Sequence, residues 1–223
     1  MSGHVKLNGV NGYLVRPSSG LERWPAMIVI HEWWGLDNQT ESITDRLGET
    51  GYLAFAPDLF NGELAQLGDG EKASSLVQKY AQSAPADLQS VFDTLKKHPD
   101  CTGKIGTVGF CFGGRMALIL AISRPLDAVC TFYGGGMQQV FDQLGAIKSP
   151  LLGLFGDKDQ SIPAGTIDEF DKLLDKVGVE HEVIMYPNSG HAFFRDRDPG
   201  TYKPEAARDA WERLKKFLEK NLK

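Results

Sequence analysis

The stretch Gly109–Phe110–Cys111–Phe112–Gly113–Gly114 determines how the rest of this chain is arranged. The short apolar run over residues 104–108 is typical of a buried strand, and the pattern over residues 115–121 is typical of a helix. The chain must therefore turn sharply from strand to helix at Cys111. A turn this tight strains the backbone of its central residue and leaves no room for side chains two positions away on either side, where this sequence has glycine.

Strand, G-x-C-x-G turn and helix together resemble the nucleophile elbow of the α/β-hydrolases, with cysteine where serine is usual. Such a turn lifts Cys111 clear of the sheet and sets it at a helix N-terminus, where the helix dipole favours a thiolate. The backbone amide of Phe112 can then face a developing oxyanion. The alternative is a glycine-rich turn that carries a buried structural cysteine, and the remaining residues must decide between the two.

Composition limits the class of protein to which the chain belongs. Its 223 residues are 42% hydrophobic and 24% charged, which is typical of a globular protein with one sizeable core. A net charge of −5 without a basic block argues against nucleic acid or an anionic membrane as partner. The three cysteines form no CxxC pair, which favours a reducing cytoplasm. We expect no metal, no other cofactor, no membrane segment, and a monomer or weak homodimer.

Apolar runs too short for helices alternate with helical patterns along the chain. Strands are predicted at residues 26–30, 52–56, 104–108, 128–132, 151–155 and 181–186, after a hairpin over residues 4–16 and a loop over residues 17–25. Helices are predicted at about residues 37–50, 71–81, 87–97, 115–121 and 164–176, and from residue 204 to the C-terminus. This alternation predicts an α/β fold with a mainly parallel, doubly wound sheet flanked by helices. No linker interrupts it, so we expect a single domain over residues 1–223 without a large lid domain.

Reactive residues follow four of the predicted strands. Glu32, Cys111 and His191 each come directly after a strand or its short loop, and Asp157 and Asp159 both follow a fourth strand. Because functional residues gather at the carboxyl ends of strands in open α/β sheets, we expect these side chains to meet. Nucleophile, acid and histidine come in the chain order of α/β-hydrolases. In that arrangement the thiol attacks a carbonyl carbon, the histidine carries the proton and the acid orients the imidazole.

The residues leave some alternatives open. Asp157 and Asp159 compete for the role of the acid, and the other one forms the turn. Trp33 and Trp34 are suited to the wall of an apolar pocket. A thiol redox or sensor protein would also use Cys111, although no resolving cysteine lies nearby in sequence. A catalytically silent binding scaffold on the same fold is the third possibility.

Five stretches of the chain resemble the dienelactone hydrolase family, whose type enzyme is carboxymethylenebutenolidase. They are His31–Glu32–Trp33–Trp34–Gly35, Ala56–Pro57–Asp58–Leu59–Phe60, Gly109–Phe110–Cys111–Phe112–Gly113–Gly114, residues 156–163, and Gly190–His191–Ala192–Phe193–Phe194–Arg195. The resemblance covers nearly the whole chain. It implies an α/β-hydrolase fold and a cofactor-independent hydrolase of small esters or lactones, some of which carry a carboxylate.

The resemblance also implies roles for individual residues. It makes Asp159, rather than Asp157, the acid that orients the histidine. It implies that Glu32 contacts the cysteine and helps to form the thiolate, and that the amide of Trp33 is the second oxyanion donor. It implies that Arg195 pairs with Glu32 and binds a carboxylate of the substrate.

The residues themselves agree with a role for Glu32. A carboxylate at a buried site needs a partner, and a thiol with a pKa of about 8.5 is far easier for it to deprotonate than an alcohol. We expect Trp34 and Tyr133 to contact the substrate.

One feature departs from the type enzyme, which takes a second arginine from the segment before the helix that leads to the elbow strand. Residues 60–98 contain no arginine here, and only Lys72 and Lys79 supply positive charge before that helix.

Overall fold

The computed structural model describes residues 1–18, 20–163 and 165–223. The strands are β1 (Ser2–Leu7), β2 (Val10–Val15), β3 (Trp24–Ile30), β4 (Leu53–Pro57), β5 (Cys101–Phe110), β6 (Ala128–Phe132), β7 (Leu151–Gly156) and β8 (His181–Tyr186). The α-helices are α1 (Asn38–Glu49), α2 (Gly70–Tyr80), α3 (Ala84–Lys96), α4 (Phe112–Ser123), α5 (Thr166–Val177) and α6 (Pro204–Leu222). Residues Met137–Ala146 form a 3₁₀ helix.

The strands form one eight-stranded sheet in the order β1-β2-β4-β3-β5-β6-β7-β8. The hairpin of β1 and β2 joins β4 in antiparallel orientation, and all strands from β4 to β8 along the sheet are parallel. Every residue of β3, β4, β6 and β7 is buried, as expected for strands covered on both faces. The predicted α/β-hydrolase fold with a mainly parallel sheet is confirmed.

Local interactions explain where the helices begin. Asp37 is the N-cap of α1, since its Oδ1 accepts a hydrogen bond from the amide of Thr40 at 3.1 Å. Asp69 caps α2 in the same way through the amide of Lys72 at 3.0 Å. Helix α3 begins three residues earlier than predicted, because Pro85 stands in its first turn, where its missing N–H costs nothing.

Two strands extend beyond the predicted boundaries. Strand β5 begins at Cys101, which pairs with Trp24 of β3, although the polar residues around Cys101 favour a turn in the sequence. Strand β3 accordingly begins two residues earlier than predicted. No element was predicted for the 3₁₀ helix. Two predicted positions, Ser19 in the loop over residues 17–25 and Ala164 at the start of a helix, lie outside the described residues.

The parallel strands place the residues of interest at one edge of the sheet. Strands β3, β5, β7 and β8 all run in the same direction, and the segments that follow them begin at His31, Cys111, Asp157 and Pro187. In the described part of the chain, no helix is long and apolar enough to span a membrane.

Candidate active site

The turn between β5 and α4 holds Cys111 in an unusual backbone conformation. Its φ is 53° and its ψ is −114°, and it is the residue immediately before the first turn of α4. A Cβ atom at Gly109 would overlap the carbonyl oxygen of Gly113, and one at Gly113 would lie 2.6 Å from the carbonyl oxygen of His31. Glycine is therefore required on both sides of Cys111, as the sequence predicts.

His191 lies between a carboxylate and the thiol. Its Nδ1 donates to Oδ2 of Asp159 at 2.7 Å, and the side chain of Asp159 is almost completely buried. The other oxygen of Asp159 accepts a hydrogen bond from the amide of Ser161 at 2.8 Å. Asp157 instead lies beside Lys158 at 3.5 Å and is one-third exposed. The carboxylate next to the imidazole is therefore that of Asp159.

The surroundings of His191 favour its charged form. Burial disfavours the imidazolium, but hydrogen bonds to Asp159 and Cys111 outweigh burial and raise the pKa of His191 to about 10. The imidazole is thus placed to hold a proton between a carboxylate and a sulfur atom. A proton taken from the thiol would remain on the ring, where it can be passed to another group.

A buried ionic cluster lies beside this histidine. Both carboxylate oxygens of Glu32 are engaged: Tyr133 donates its hydroxyl to Oε1 at 3.0 Å, and Arg195 donates Nη1 to Oε2 at 2.8 Å. Arg195 also donates Nη2 to Asp37 at 2.5 Å. The side chains of Glu32 and Arg195 are each only 6% exposed. Among the described residues, the hydrogen bonds of the Glu32 side chain go to Tyr133 and Arg195, not to Cys111.

The balance of charges in this cluster affects the basicity of Glu32. Burial raises the pKa of Glu32. The Arg195 guanidinium lowers that pKa, whereas Asp37 raises it, and the net shift is upward. One guanidinium thus faces two carboxylates in a region from which water is largely excluded. A raised pKa makes Glu32 a better proton acceptor, because it brings the carboxylate closer to the usual pKa of a thiol.

Two backbone amides near the strand ends have no hydrogen-bond acceptor in the described part of the chain. Phe112 is the first residue of α4, so its amide has no intrahelical acceptor. Trp33 lies in a turn after β3, and its amide donates to no backbone or side-chain acceptor within the described residues. The close approach of Gly113 to His31 brings the start of α4 against the end of β3.

Aromatic side chains complete the surroundings of the site. The rings of Trp33 and Trp34 meet edge to face with centroids 5.0 Å apart, and Trp34 is the more buried of the two. The ring of Tyr133 lies 5.1 Å from the imidazole of His191. Tyr133 has a φ of 37°, so it is strained like Cys111. Strain of this kind persists where the surrounding structure fixes a functional geometry.

Arg115 belongs to this site, although it is not among the site residues predicted from the sequence. Its Nη1 donates to Oε1 of Gln139 at 2.8 Å, and no acidic side chain in the described ranges pairs with it. A Cβ atom at Gly136 would lie 2.7 Å from Nη1, and one at Gly135 would lie 3.8 Å from the Cys111 sulfur. Guanidinium and thiol thus pack against consecutive glycines of one loop. The spacing of four residues from Cys111, one helical turn, is the signal that could have identified Arg115.

Two further residues near the site, His31 and Asp37, were not predicted from the sequence to have a role of their own. His31 was predicted only as part of a motif, and Asp37 only as the first residue of a predicted helix. No group of three or more metal-binding side chains is present within residues 1–18, 20–163 and 165–223.

Comparison with known proteins relates the chain to one family. The dienelactone hydrolase family matches over residues 10–222. A protein of Yersinia pestis named "Putative carboxymethylenebutenolidase" is 33% identical over 216 residues, which cover 91% of this chain and 80% of the relative. A protein of the same name from Saccharolobus solfataricus is 33% identical over 229 residues, which cover 86% of this chain and 88% of the relative.

The fold also matches solved structures. The crystal structure of a dienelactone hydrolase-like promiscuous phosphotriesterase from metagenomic libraries superimposes with a TM-score of 0.89. The match covers 100% of this chain and 99% of the other at 23% identity, which establishes a common fold.

The hydrogen bond between His191 and Asp159 leads to a first prediction. Asp159→Asn should lower the pKa of His191 and reduce turnover about a hundredfold, whereas Asp157→Asn should change neither. NMR titration of the ring measures the pKa, and ester hydrolysis measures turnover.

The same contact affects stability. The pKa of His191 in the folded protein lies above its ordinary value of 6.5. The stability that the protonated histidine gives the fold is therefore complete below about pH 6.5 and is lost as the pH rises through about 10. The difference in unfolding free energy between wild type and Asp159→Asn should therefore shrink over that range. A larger effect from Asp157→Asn would contradict the assignment.

Proposed function

The chain belongs to the dienelactone hydrolase family and is an ester or lactone hydrolase, and from this premise we propose that it works through a Cys111–His191–Asp159 triad. The intermediate in this proposal is a thioester between Cys111 and the acyl part of the substrate. The proposal rests on the placement of the His191 imidazole, which is hydrogen-bonded to Asp159 on one side and whose pKa is raised by both Asp159 and the Cys111 thiol.

In the first half of the proposed reaction, the sulfur of Cys111 attacks the carbonyl carbon of the ester. His191 holds the thiol proton and gives it to the leaving alkoxide when the carbon–oxygen bond breaks. In a lactone the alkoxide stays attached to the acyl group, so the ring opens without loss of a fragment. Asp159 orients the imidazole and stabilises its cation throughout.

In the second half, water replaces the alcohol. His191, now neutral, removes a proton from water as the oxygen attacks the thioester carbon. The carbon–sulfur bond then breaks, and the thiolate leaves with the imidazolium beside it. The net reaction is ester plus water to acid plus alcohol, and the enzyme is restored.

Both halves develop negative charge on the carbonyl oxygen. We assign its stabilisation to the amides of Phe112 and Trp33, which have no other acceptor in the described part of the chain. Pre-aligned amides of this kind stabilise the transition state more than the ground state, and losing one costs about 10²–10³ in turnover in enzymes that rely on them.

Glu32 is proposed to assist in forming the thiolate. With both oxygens bound to Tyr133 and Arg195, it must turn away from Arg195 before it can reach the thiol. A carboxylate on the substrate would favour that movement, because it could replace Glu32 on the guanidinium. On this proposal the substrate is a small ester or lactone, and Trp34 and Tyr133 form part of its pocket.

Cellular location follows only as an expectation from the cysteines. Cys101, Cys111 and Cys130 are all free thiols, and two of them are buried. A free nucleophilic thiol is maintained in a reducing compartment, so we propose a cytoplasmic enzyme.

Pre-steady-state kinetics with a chromogenic ester test the proposal. Wild type should release one equivalent of alcohol in a burst if hydrolysis of the thioester is slower than its formation, and alkylation of Cys111 should abolish both burst and turnover. Cys111→Ala should be inactive but folded, whereas Cys101→Ala should retain activity. Turnover that survives in Cys111→Ala would contradict the mechanism and leave a redox protein or binding scaffold as the alternatives.

The proposed role of Arg195 gives a further prediction. Arg195→Lys keeps the positive charge but loses the forked geometry that bridges two carboxylates. It should raise the KM of carboxylate-bearing esters about tenfold, which corresponds to about 1.4 kcal/mol, and should affect neutral esters much less.

Arg115→Gln is the matched comparison, since it removes a second guanidinium from the same site. Equal losses on charged and neutral esters in Arg195→Lys would make Arg195 purely structural. A selective loss in Arg115→Gln alone would assign the substrate carboxylate to Arg115.

A further inference from the structure

His31 is a fully buried polar residue that the proposed reaction does not use. It follows the last residue of β3 and lies in an aromatic cage, with its ring 4.7 Å from that of Phe60 and 6.1 Å from that of Phe112. A histidine buried so completely must satisfy both ring nitrogens, and the identity of its partners determines what it can do.

The hydrogen bonds of His31 establish which nitrogen carries the proton. The amide of Leu59 donates to Nε2 at 3.2 Å, so Nε2 must be the unprotonated nitrogen. The proton is therefore on Nδ1, which donates to the carbonyl oxygen of Glu32 at 2.6 Å. Burial lowers the pKa of His31, which keeps the ring in this neutral form.

The carbonyl that receives this proton belongs to a special peptide group. The C=O of Glu32 and the N–H of Trp33 are the two ends of one planar peptide, and they point in opposite directions because the peptide is trans. The carbonyl end is held twice, by Nδ1 of His31 and by the amide of Gly35 at 3.3 Å. The opposite end is the Trp33 amide, which has no acceptor among the described residues.

From this geometry we propose that His31 is a positioning residue for the oxyanion hole: by donating to the Glu32 carbonyl, it fixes the direction of the Trp33 amide and polarises it. The inference rests on the proposed function, in which that amide binds the oxyanion. A hydrogen bond to the carbonyl end of a peptide strengthens the donor at the other end. His31 acts only through this peptide and does not touch the reacting atoms.

The contacts of His31 also link the two sides of the oxyanion hole. Its ring packs on Phe112, whose amide is the other proposed donor, and its Nε2 accepts from Leu59 in the loop that follows β4. A purely structural role would rest on these packing contacts. The positioning role rests on one hydrogen bond, from Nδ1 to the carbonyl oxygen of Glu32. Variants that keep the packing contacts but lose this hydrogen bond, or the reverse, can therefore test it.

Asparagine and glutamine at position 31 would mimic different nitrogens of the histidine ring. His31→Asn places an NH₂ group near the position of Nδ1 and can still donate to the Glu32 carbonyl. His31→Gln places its amide near Nε2, where its oxygen can accept from Leu59, but it loses the donor to Glu32. Phe60→Leu removes a ring contact of His31 and leaves both hydrogen bonds in place, so it is the control for packing.

The experiment compares each variant on an ester and on the matching thionoester, in which sulfur replaces the carbonyl oxygen. Sulfur is a poor acceptor, so an enzyme with a working oxyanion hole strongly prefers the oxygen ester. His31→Gln should lose about ten- to a hundredfold in kcat on the oxygen ester and much less on the thionoester. His31→Asn and Phe60→Leu should keep most of the wild-type preference for the oxygen ester over the thionoester. Alkylation of Cys111 by iodoacetamide, which forms no oxyanion, should proceed at the wild-type rate in all three variants.

Several outcomes would overturn the proposal. Equal losses on the two esters in His31→Gln, or a parallel loss of alkylation, would mean that His31 only supports the fold. ¹⁵N NMR of wild-type His31 provides a test that needs no folded variant, since a proton on Nε2 instead of Nδ1 would contradict the proposal.

Failure of the proposed function would look different. It would appear in the wild-type enzyme, as ester hydrolysis that survives alkylation of Cys111. In that case the role assigned to His31 would fall with it.

Discussion

The strained backbone of Cys111 is the constraint on which the rest of the site depends. A positive φ between a buried strand and a helix is tolerated only because Gly109 and Gly113 leave room for the two segments to pass each other. That close passage sets the sulfur at the start of α4 and presses the helix against the end of β3. The segment after β3, with Glu32 and the Trp33 amide, is thereby brought to the same place.

Charge is distributed unequally around the sulfur. On one side, Asp159 and His191 form a pair that favours a proton on the imidazole. On the other side, Arg195 is shared between Glu32 and Asp37 in a largely dry environment. Breaking such a cluster costs several kcal/mol unless another charge replaces the lost partner. In the proposed function a substrate carboxylate is that replacement, so that binding of substrate is coupled to activation of the thiol.

The sequence predicts the backbone of this site better than its side-chain contacts. The glycine spacing around Cys111 and the short apolar strands were sufficient to predict the elbow and the edge at which Glu32 and His191 lie. The double use of Asp37 was not predictable, because one oxygen caps α1 while the other binds a residue 158 positions away. The orientation of Arg115 depends on the 3₁₀ helix, whose sequence shows no regular pattern. The tautomer of His31 is determined by a backbone amide from another strand's loop.

The proposed thioester on Cys111 can be detected directly. The enzyme is mixed with a slowly hydrolysed ester, quenched with acid within the burst, digested and analysed by mass spectrometry. We expect to find the mass of the acyl group on Cys111, and we expect neutral hydroxylamine to remove it, as it does from a thioester. An acyl group on another residue, or product formation without any acylated Cys111, would contradict the proposed mechanism.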